Sequence, residues 1–205
     1  VPPGSPPGAK PQTGKSTYEY NSSNVVLGTG QTRAAKVSFD RPYSNDDGAG
    51  DFLDWELYFV RWVEESGYDV SYSTDIDTHA AGSRLLNHKG FLSVGHDEYW
   101  SKQMFDAAVA ARDAGVNLGF FSGNAVYWQV RFEPSAAGAS DRVMVSYKSG
   151  ALDPVSGPTT TVKFRDPLVD RPEQSLMGVM STGVQPNGAP PAAHVVRNSG
   201  SWVYA

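Results

Sequence analysis

The 205-residue chain contains no cysteine. That absence excludes disulfides, thiolate nucleophiles and cysteine-ligated metals, and it leaves the compartment open, because a chain of this size can build a core without cross-links. No apolar run approaches the roughly 18 residues that a membrane-spanning helix needs. Basic clusters are also missing, and the net charge is −5, which argues against nucleic acid or an anionic membrane as a partner. There is no His-Glu-x-x-His run, phosphate-binding loop, Gly-x-Gly-x-x-Gly or serine elbow, so the chemistries tied to those motifs are set aside. The chain opens in Pro/Gly-rich residues and stops at Ser201-Trp-Val-Tyr-Ala205, which reads as a strand cut short. The expectation is a fragment, truncated at its C-terminus, of something longer. Its localisation is unknown because no targeting signal can be read from it, and an exported parent protein goes with the binding-module alternative below.

What the chain has in quantity is aromatics: five Trp, ten Tyr and nine Phe, bunched between Phe52 and Trp128. Residues 1–34 carry the Pro/Gly/Ser/Asn signature of an irregular arm, and residues 35–205 read as the folded domain. Ala35–Asp40 reads as a first short strand. A helix over 51–66 follows, capped by Asp51 and closed by Gly67, with Phe52, Trp55, Phe59, Trp62 and Val63 making a thick aromatic face. Tyr68–Asp75 alternates as a strand, 77–87 reads as a short helix, Gly90–Gly95 as a buried strand, 98–114 as a second long helix, and Asn117–Gly123 as another buried strand. Strands alternating with helices at this spacing predict an α/β fold, a three-layer, mostly parallel sheet with crossover helices. Beyond residue 131 the character turns β-rich, with short strands expected at 143–147, 159–164, 176–180, 193–196 and 202–204.

The densest chemistry lies in Gly90-Phe-Leu-Ser-Val-Gly-His-Asp-Glu-Tyr-Trp-Ser101. An apolar pentad ends on glycine, and His96, Asp97, Glu98 and Tyr99 follow at a strand end, where an open α/β sheet presents its ligands. These side chains either face a crevice or serve the next helix, with Asp97 as its cap and Glu98 at its positive end. Asp75, Asp77 and His79 are spaced to ligate a metal or, as the favoured reading, to cap a short helix through Asp77 or Thr78. Gly123-Asn124 places a polar side chain at a further strand end, with Arg131 and Glu133 expected as a surface pair. Tyr58, alone, reads as helix packing. His88 and His194 stand isolated.

Taken in order, Lys36-Val-Ser-Phe-Asp-Arg-Pro42, Tyr58-Phe-Val-Arg-Trp-Val-Glu64, Thr74-Asp-Ile-Asp77, Gly95-His-Asp-Glu-Tyr-Trp100, Ser122-Gly-Asn124 and Tyr127-Trp128 resemble the large (β) subunit of N,N-dimethylformamidase and its relatives, over roughly residues 14–205. The resemblance implies a class I glutamine-amidotransferase-like (flavodoxin-like) domain without the cysteine nucleophile. It also implies hydrolysis of a linear amide or related C–N bond, a small-molecule substrate, and further domains or subunits. In that family a mononuclear non-haem iron is held by two tyrosines and a glutamate. Motif matching puts Tyr58 and Tyr99 on the tyrosine positions, with His96 and Glu98 as neighbouring acid/base groups and Asn124 as an orienting group. The glutamate position aligns with Thr159-Thr-Thr161, so the third ligand is open, with Glu98 and Glu133 as substitutes. The alternative is a non-catalytic module binding a sugar or other small molecule in a crevice of Trp55, Tyr99, Trp100, Tyr127 and Trp128.

Overall fold

The computed structural model describes residues 33–41 and 52–180, together with the single positions 17, 50, 188, 190 and 200. Most of the expected arm, the Asp51 cap, His194 and the expected strands at 193–196 and 202–204 lie outside the described residues.

The elements run β1 (Lys36–Ser38), a π-helical turn (Phe52–Glu56), α1 (Leu57–Glu65), α2 (Asp75–Ala81), a 3₁₀ segment (Gly82–Asn87), β2 (Gly90–Gly95), β3 (Tyr99–Ser101), α3 (Lys102–Asp113), β4 (Asn117–Ser122), β5 (Trp128–Glu133), β6 (Val143–Val145) and α4 (Gln174–Met177). Two sheets result. One has the strand order β1-β6-β5-β3, and the other pairs β2 with β4. The β2–β4 and β3–β5 pairings are parallel, as the crossover pattern predicts, while β1–β6 and β5–β6 are antiparallel. The α/β class therefore holds, with a sheet of mixed orientation rather than one mostly parallel sheet.

Successive side chains on a strand point to opposite faces. On β4, Phe120 packs against the main core, while Phe121 meets Phe59 of α1 at 5.4 Å between ring centroids. The core is built from Trp100, Met104, Phe105, Ala108, Val126, Val162 and Phe164, all 3 % exposed or less. Helix α3 supplies Met104, Phe105, Ala108 and Ala111 from one face, as its three- and four-residue spacing predicts.

Several local expectations are corrected. The helix expected from Glu98 begins at Lys102, because Tyr99–Ser101 pair with Trp128–Val130 as β3 and Ser101, not Asp97, caps α3 through Met104 N–H. Tyr68–Ser73 forms no strand, since a period-two pattern needs a neighbouring ladder to become a strand. The aromatic face of α1 is open: Trp55 is 60 % and Trp62 54 % exposed, and only Val63 of that set is buried. Leu176–Met180 is not a strand, because α4 takes up Gln174–Met177 and closes on Gly178 at φ 78°. Of the strand expected at 159–164, only an isolated bridge from Lys163 to Trp128 forms.

Candidate functional site

β2 ends at Gly95, whose φ of 86° suits glycine, and a Cβ there would approach Glu56 Oε1 to 2.6 Å. The chain then turns through His96–Glu98 into β3. One strand over, β4 ends at Ser122 and turns through Gly123–Tyr127 into β5. Three backbone bonds clamp the turns together: Val126 N–H donates to the Asp97 carbonyl (3.0 Å), and Tyr127 and Trp128 N–H both donate to the Glu98 carbonyl (3.1 and 2.9 Å). The clamp holds Asn124 and Val126 at φ 57° and 55°. A fully buried, β-branched Val126 in the left-handed region costs about 1–3 kcal/mol and persists because its surroundings over-determine it. Such strain gathers at ligand and catalytic sites.

The side chains at this clamp are chemically matched. Glu98 is 5 % exposed, and its Oε2 lies 3.3 Å from Nε2 of the half-exposed His96. The imidazole thus links a buried carboxylate to solvent. Next along β3, the Tyr99 hydroxyl accepts a 2.6 Å hydrogen bond from Lys148 Nζ. Lys148 itself sits at φ 56° in the loop after β6. Asn124 is exposed at the adjoining strand end. The structure therefore sets His96 against Glu98 and Lys148 against Tyr99, and ties the turn after Asn124 to the Asp97 and Glu98 carbonyls. Nothing local in the sequence marks Lys148: it reaches Tyr99 from 49 residues downstream.

Beside the β2 end lies a cleft of about 890 Å3, lined by α1, residues 69–75, β2 and the turn residues His96 and Asp97. Asp97 faces it, accepting from Ser93 Oγ (2.5 Å) and Trp100 Nε1 (2.6 Å). Burial pushes the Asp97 carboxyl up, against those two hydrogen bonds and the nearby His96. Asp75 is wetted by the cleft yet set deep among protein atoms. Burial, followed by the charges of Asp97 and Glu56, pushes it up to about 7.

The sign follows from the raised value: unfolded Asp75 ionises near 3.9, whereas the folded group holds its proton toward 7. Its contribution to stability is full below the unfolded value and is lost as pH rises through about 7. Asp75→Asn is therefore expected to stabilise the fold at pH 8 by about 1 kcal/mol after solvent screening, and so to raise the melting temperature there, with no gain at pH 4. Thermal melts at the two pH values check this.

The remaining expectations sort as follows. Thr74, not Asp77 or Thr78, is the N-cap of α2, and Asp77 closes its capping box from the third position. His79 turns away from the two aspartates, with Nδ1 at 2.8 Å from Ser101 Oγ and Nε2 at 3.6 Å from Asp141. Arg131 and Glu133 do not pair: Arg131 binds Asp153, and Glu133 binds Lys36 on the surface. Trp100 is wholly buried in the core, so it cannot line an open crevice. Tyr58 is 70 % exposed on α1. No group of three or more His, Asp or Glu among the described residues is arranged to hold a metal.

The donor chemistry can still be compared with the iron that the resemblance implies. Glu98, a buried carboxylate, precedes Tyr99, a phenol whose oxygen accepts from Lys148. Both are hard oxygen donors that fit a trivalent ion. Glu133, held in its surface ion pair, does not serve as the carboxylate.

No curated protein matches the chain. The family described as N,N-dimethylformamidase beta subunit-like, C-terminal, matches residues 11–205, which include every residue of the clamp. The chain belongs to the N,N-dimethylformamidase beta subunit-like, C-terminal family.

Proposed function

We propose that this chain is a hydrolase-like domain that cleaves a linear amide or a related C–N bond at the strand-end clamp. The observation that carries the reading is the buried Glu98, in contact with solvent-linked His96 and next to the Tyr99–Lys148 pair, on backbone held in strained conformations. Glu98 accepts the proton of an attacking water. His96 passes that proton to the departing amine, since it touches both the carboxylate and solvent. Lys148, through the Tyr99 hydroxyl, stabilises negative charge growing on the carbonyl oxygen, and Asn124 orients the amide. Were a mononuclear iron bound, Tyr99 would serve it as a tyrosinate ligand instead of donating to the carbonyl, and the metal would supply the Lewis-acid polarisation. Tyr58 would have to reach it from the exposed face of α1 and is the less supported of the two tyrosines.

Placement of α1 and α3 against opposite faces of β4 supports a three-layer, glutamine-amidotransferase-like arrangement. The test is amine release from primary, secondary and tertiary linear amides by the full chain, with and without added ferrous or ferric iron. Release that falls at least about tenfold in Lys148→Met is expected, together with a tyrosinate-to-iron absorption band that is lost in Tyr99→Phe. A chain that releases amine from no amide under any of these conditions sinks the reading. A non-catalytic binding module is the second reading, favoured by the half-buried rings of Tyr99, Tyr127 and Trp128 beside the clamp. Ligand binding without turnover would mark it.

A further inference from the structure

His96 belongs to two places at once. Its Nε2 lies 3.3 Å from the buried Glu98 carboxylate, and the same residue borders the cleft of about 890 Å3 beside β2. The cleft therefore opens onto the clamp at the imidazole. Its volume falls within the range of about 300–1,000 Å3 that small-molecule sites occupy, and formamide or acetamide would leave most of it to water.

Much of the wall is hydrocarbon. Phe59, Val60 and Val63 of α1 line the cleft together with Leu92 and Val94 of β2. Leu92 sits mid-strand yet is 47 % exposed, and Phe52 at the π-helical turn is 44 % exposed. Helices ordinarily cover such a sheet face in an α/β fold, so apolar side chains are left bare where α1 stands off β2. A hydrocarbon chain laid on them gains about fourfold in affinity for each methylene it buries.

The charged lining is mostly of one sign. Glu56, Asp69, Asp75, Asp77 and Asp97 share the cleft with one guanidinium, that of Arg84, whose charge already acts on Asp77. Burial and the charges of Asp97 and Glu56 hold the Asp75 carboxyl up to about 7. A further anion is repelled in such surroundings, and an ammonium group is attracted.

We infer that this cleft takes the nitrogen-side hydrocarbon of the substrate, an N-alkyl amide whose chain of several carbons leaves as an alkylammonium ion. The direction follows from His96, which protonates the departing nitrogen in the proposed mechanism and borders the cleft that the nitrogen substituent then enters. The water oxygen bonds to the carbonyl carbon, and the C–N bond breaks with its electron pair on nitrogen. Both water protons end on that nitrogen, giving a carboxylate and an alkylammonium. The substrate assignment rests on the proposed amide-cleaving reading, but the alkylammonium site itself does not.

The experiment uses the full chain at neutral pH. Hexylamine, ethylamine and hexanoate are the binding probes, followed by titration calorimetry, and N-hexylacetamide and N-ethylacetamide are the substrates, followed by amine release. Hexylamine is expected to bind at least about tenfold more tightly than ethylamine or hexanoate. N-hexylacetamide should be cleaved with a kcat/KM at least about tenfold above that of N-ethylacetamide. Leu92→Thr should shrink both preferences, whereas Leu92→Met, which conserves apolar volume, should keep them and so guards against a merely structural loss. Equal binding of the three probes, binding of none, or a hexylamine preference unchanged in Leu92→Thr overturns the inference. Equal kcat/KM for the two acetamides also overturns it while leaving amide cleavage in place. Selective binding of hexylamine with neither acetamide cleaved does the reverse: the cleft site stands, and the amide-cleaving reading falls.

Discussion

Glu98→Gln is expected to lower amide-cleaving turnover by at least about 10²-fold, the range associated with loss of a positioned general base, while the fold survives. The substitution keeps the shape and most of the hydrogen-bonding capacity of the buried side chain and removes only its charge. The Glu98 backbone, whose carbonyl holds Tyr127 and Trp128, is untouched. His96→Gln should cost less, because His96 is half exposed and water can take over part of its proton transfer. Steady-state amine release checks the rates, and circular dichroism checks that both variants fold like the parent. Turnover in Glu98→Gln within a few-fold of the parent would remove Glu98 from the chemistry.

Asp153→Ala should cause the largest loss of stability, about 3–5 kcal/mol, because it strands a largely buried Arg131 without its partner. The Asp153 side chain is fully buried. It accepts from both terminal nitrogens of Arg131 at 2.8 and 2.9 Å, from Thr161 N–H and hydroxyl at 2.7 and 2.6 Å, and from Val155 N–H at 2.9 Å. Burial alone would raise its pKa. The Arg131 and Thr161 bonds outweigh it and hold the carboxyl well below the ordinary aspartate range. A depressed folded value means that this stabilisation is present above the unfolded pKa and is lost only as pH falls through the lower folded one. Urea unfolding at pH 7 should show the full deficit in Asp153→Ala. Near pH 2 the gap to the parent should narrow, as the parent itself begins to lose the contribution. Arg131→Met, which leaves Asp153 charged and buried, should cost a similar amount, and the double variant should cost less than the sum, since the two residues are in contact.

Local composition was enough wherever an element is stabilised by its own residues and one buried face. β2 and β4 are continuous apolar runs bounded by glycine or polar residues, and each appears where its sequence puts it. α3 follows the same logic: its buried side chains recur at helical spacing. The address of the candidate site was also legible, because His96, Glu98 and Asn124 stand at strand ends that the apolar runs define.

Other features were hidden because they depend on what lies opposite in space. Tyr99–Ser101 carries the start of a helical pattern, yet pairing with Trp128–Val130 draws it into β3 and moves the cap to Ser101. Tyr68–Asp75 alternates like a strand, but its backbone finds no ladder. Arg131 selects Asp153 over its near neighbour Glu133, since neighbours two apart on a strand share a face without guaranteeing contact, whereas a buried guanidinium requires a buried carboxylate.

By itself, the sequence determined the absence of thiol chemistry, the α/β class, the helices and strands with one buried face, and the strand-end location of the polar side chains. Only the tertiary structure decided that Glu98 is buried against His96, that Tyr99 is held by Lys148, and that His96 also borders the cleft beside β2. The physical reason is range. Periodicity and capping act over three or four residues, whereas Arg131 meets Asp153 across 22 residues and Lys148 meets Tyr99 across 49.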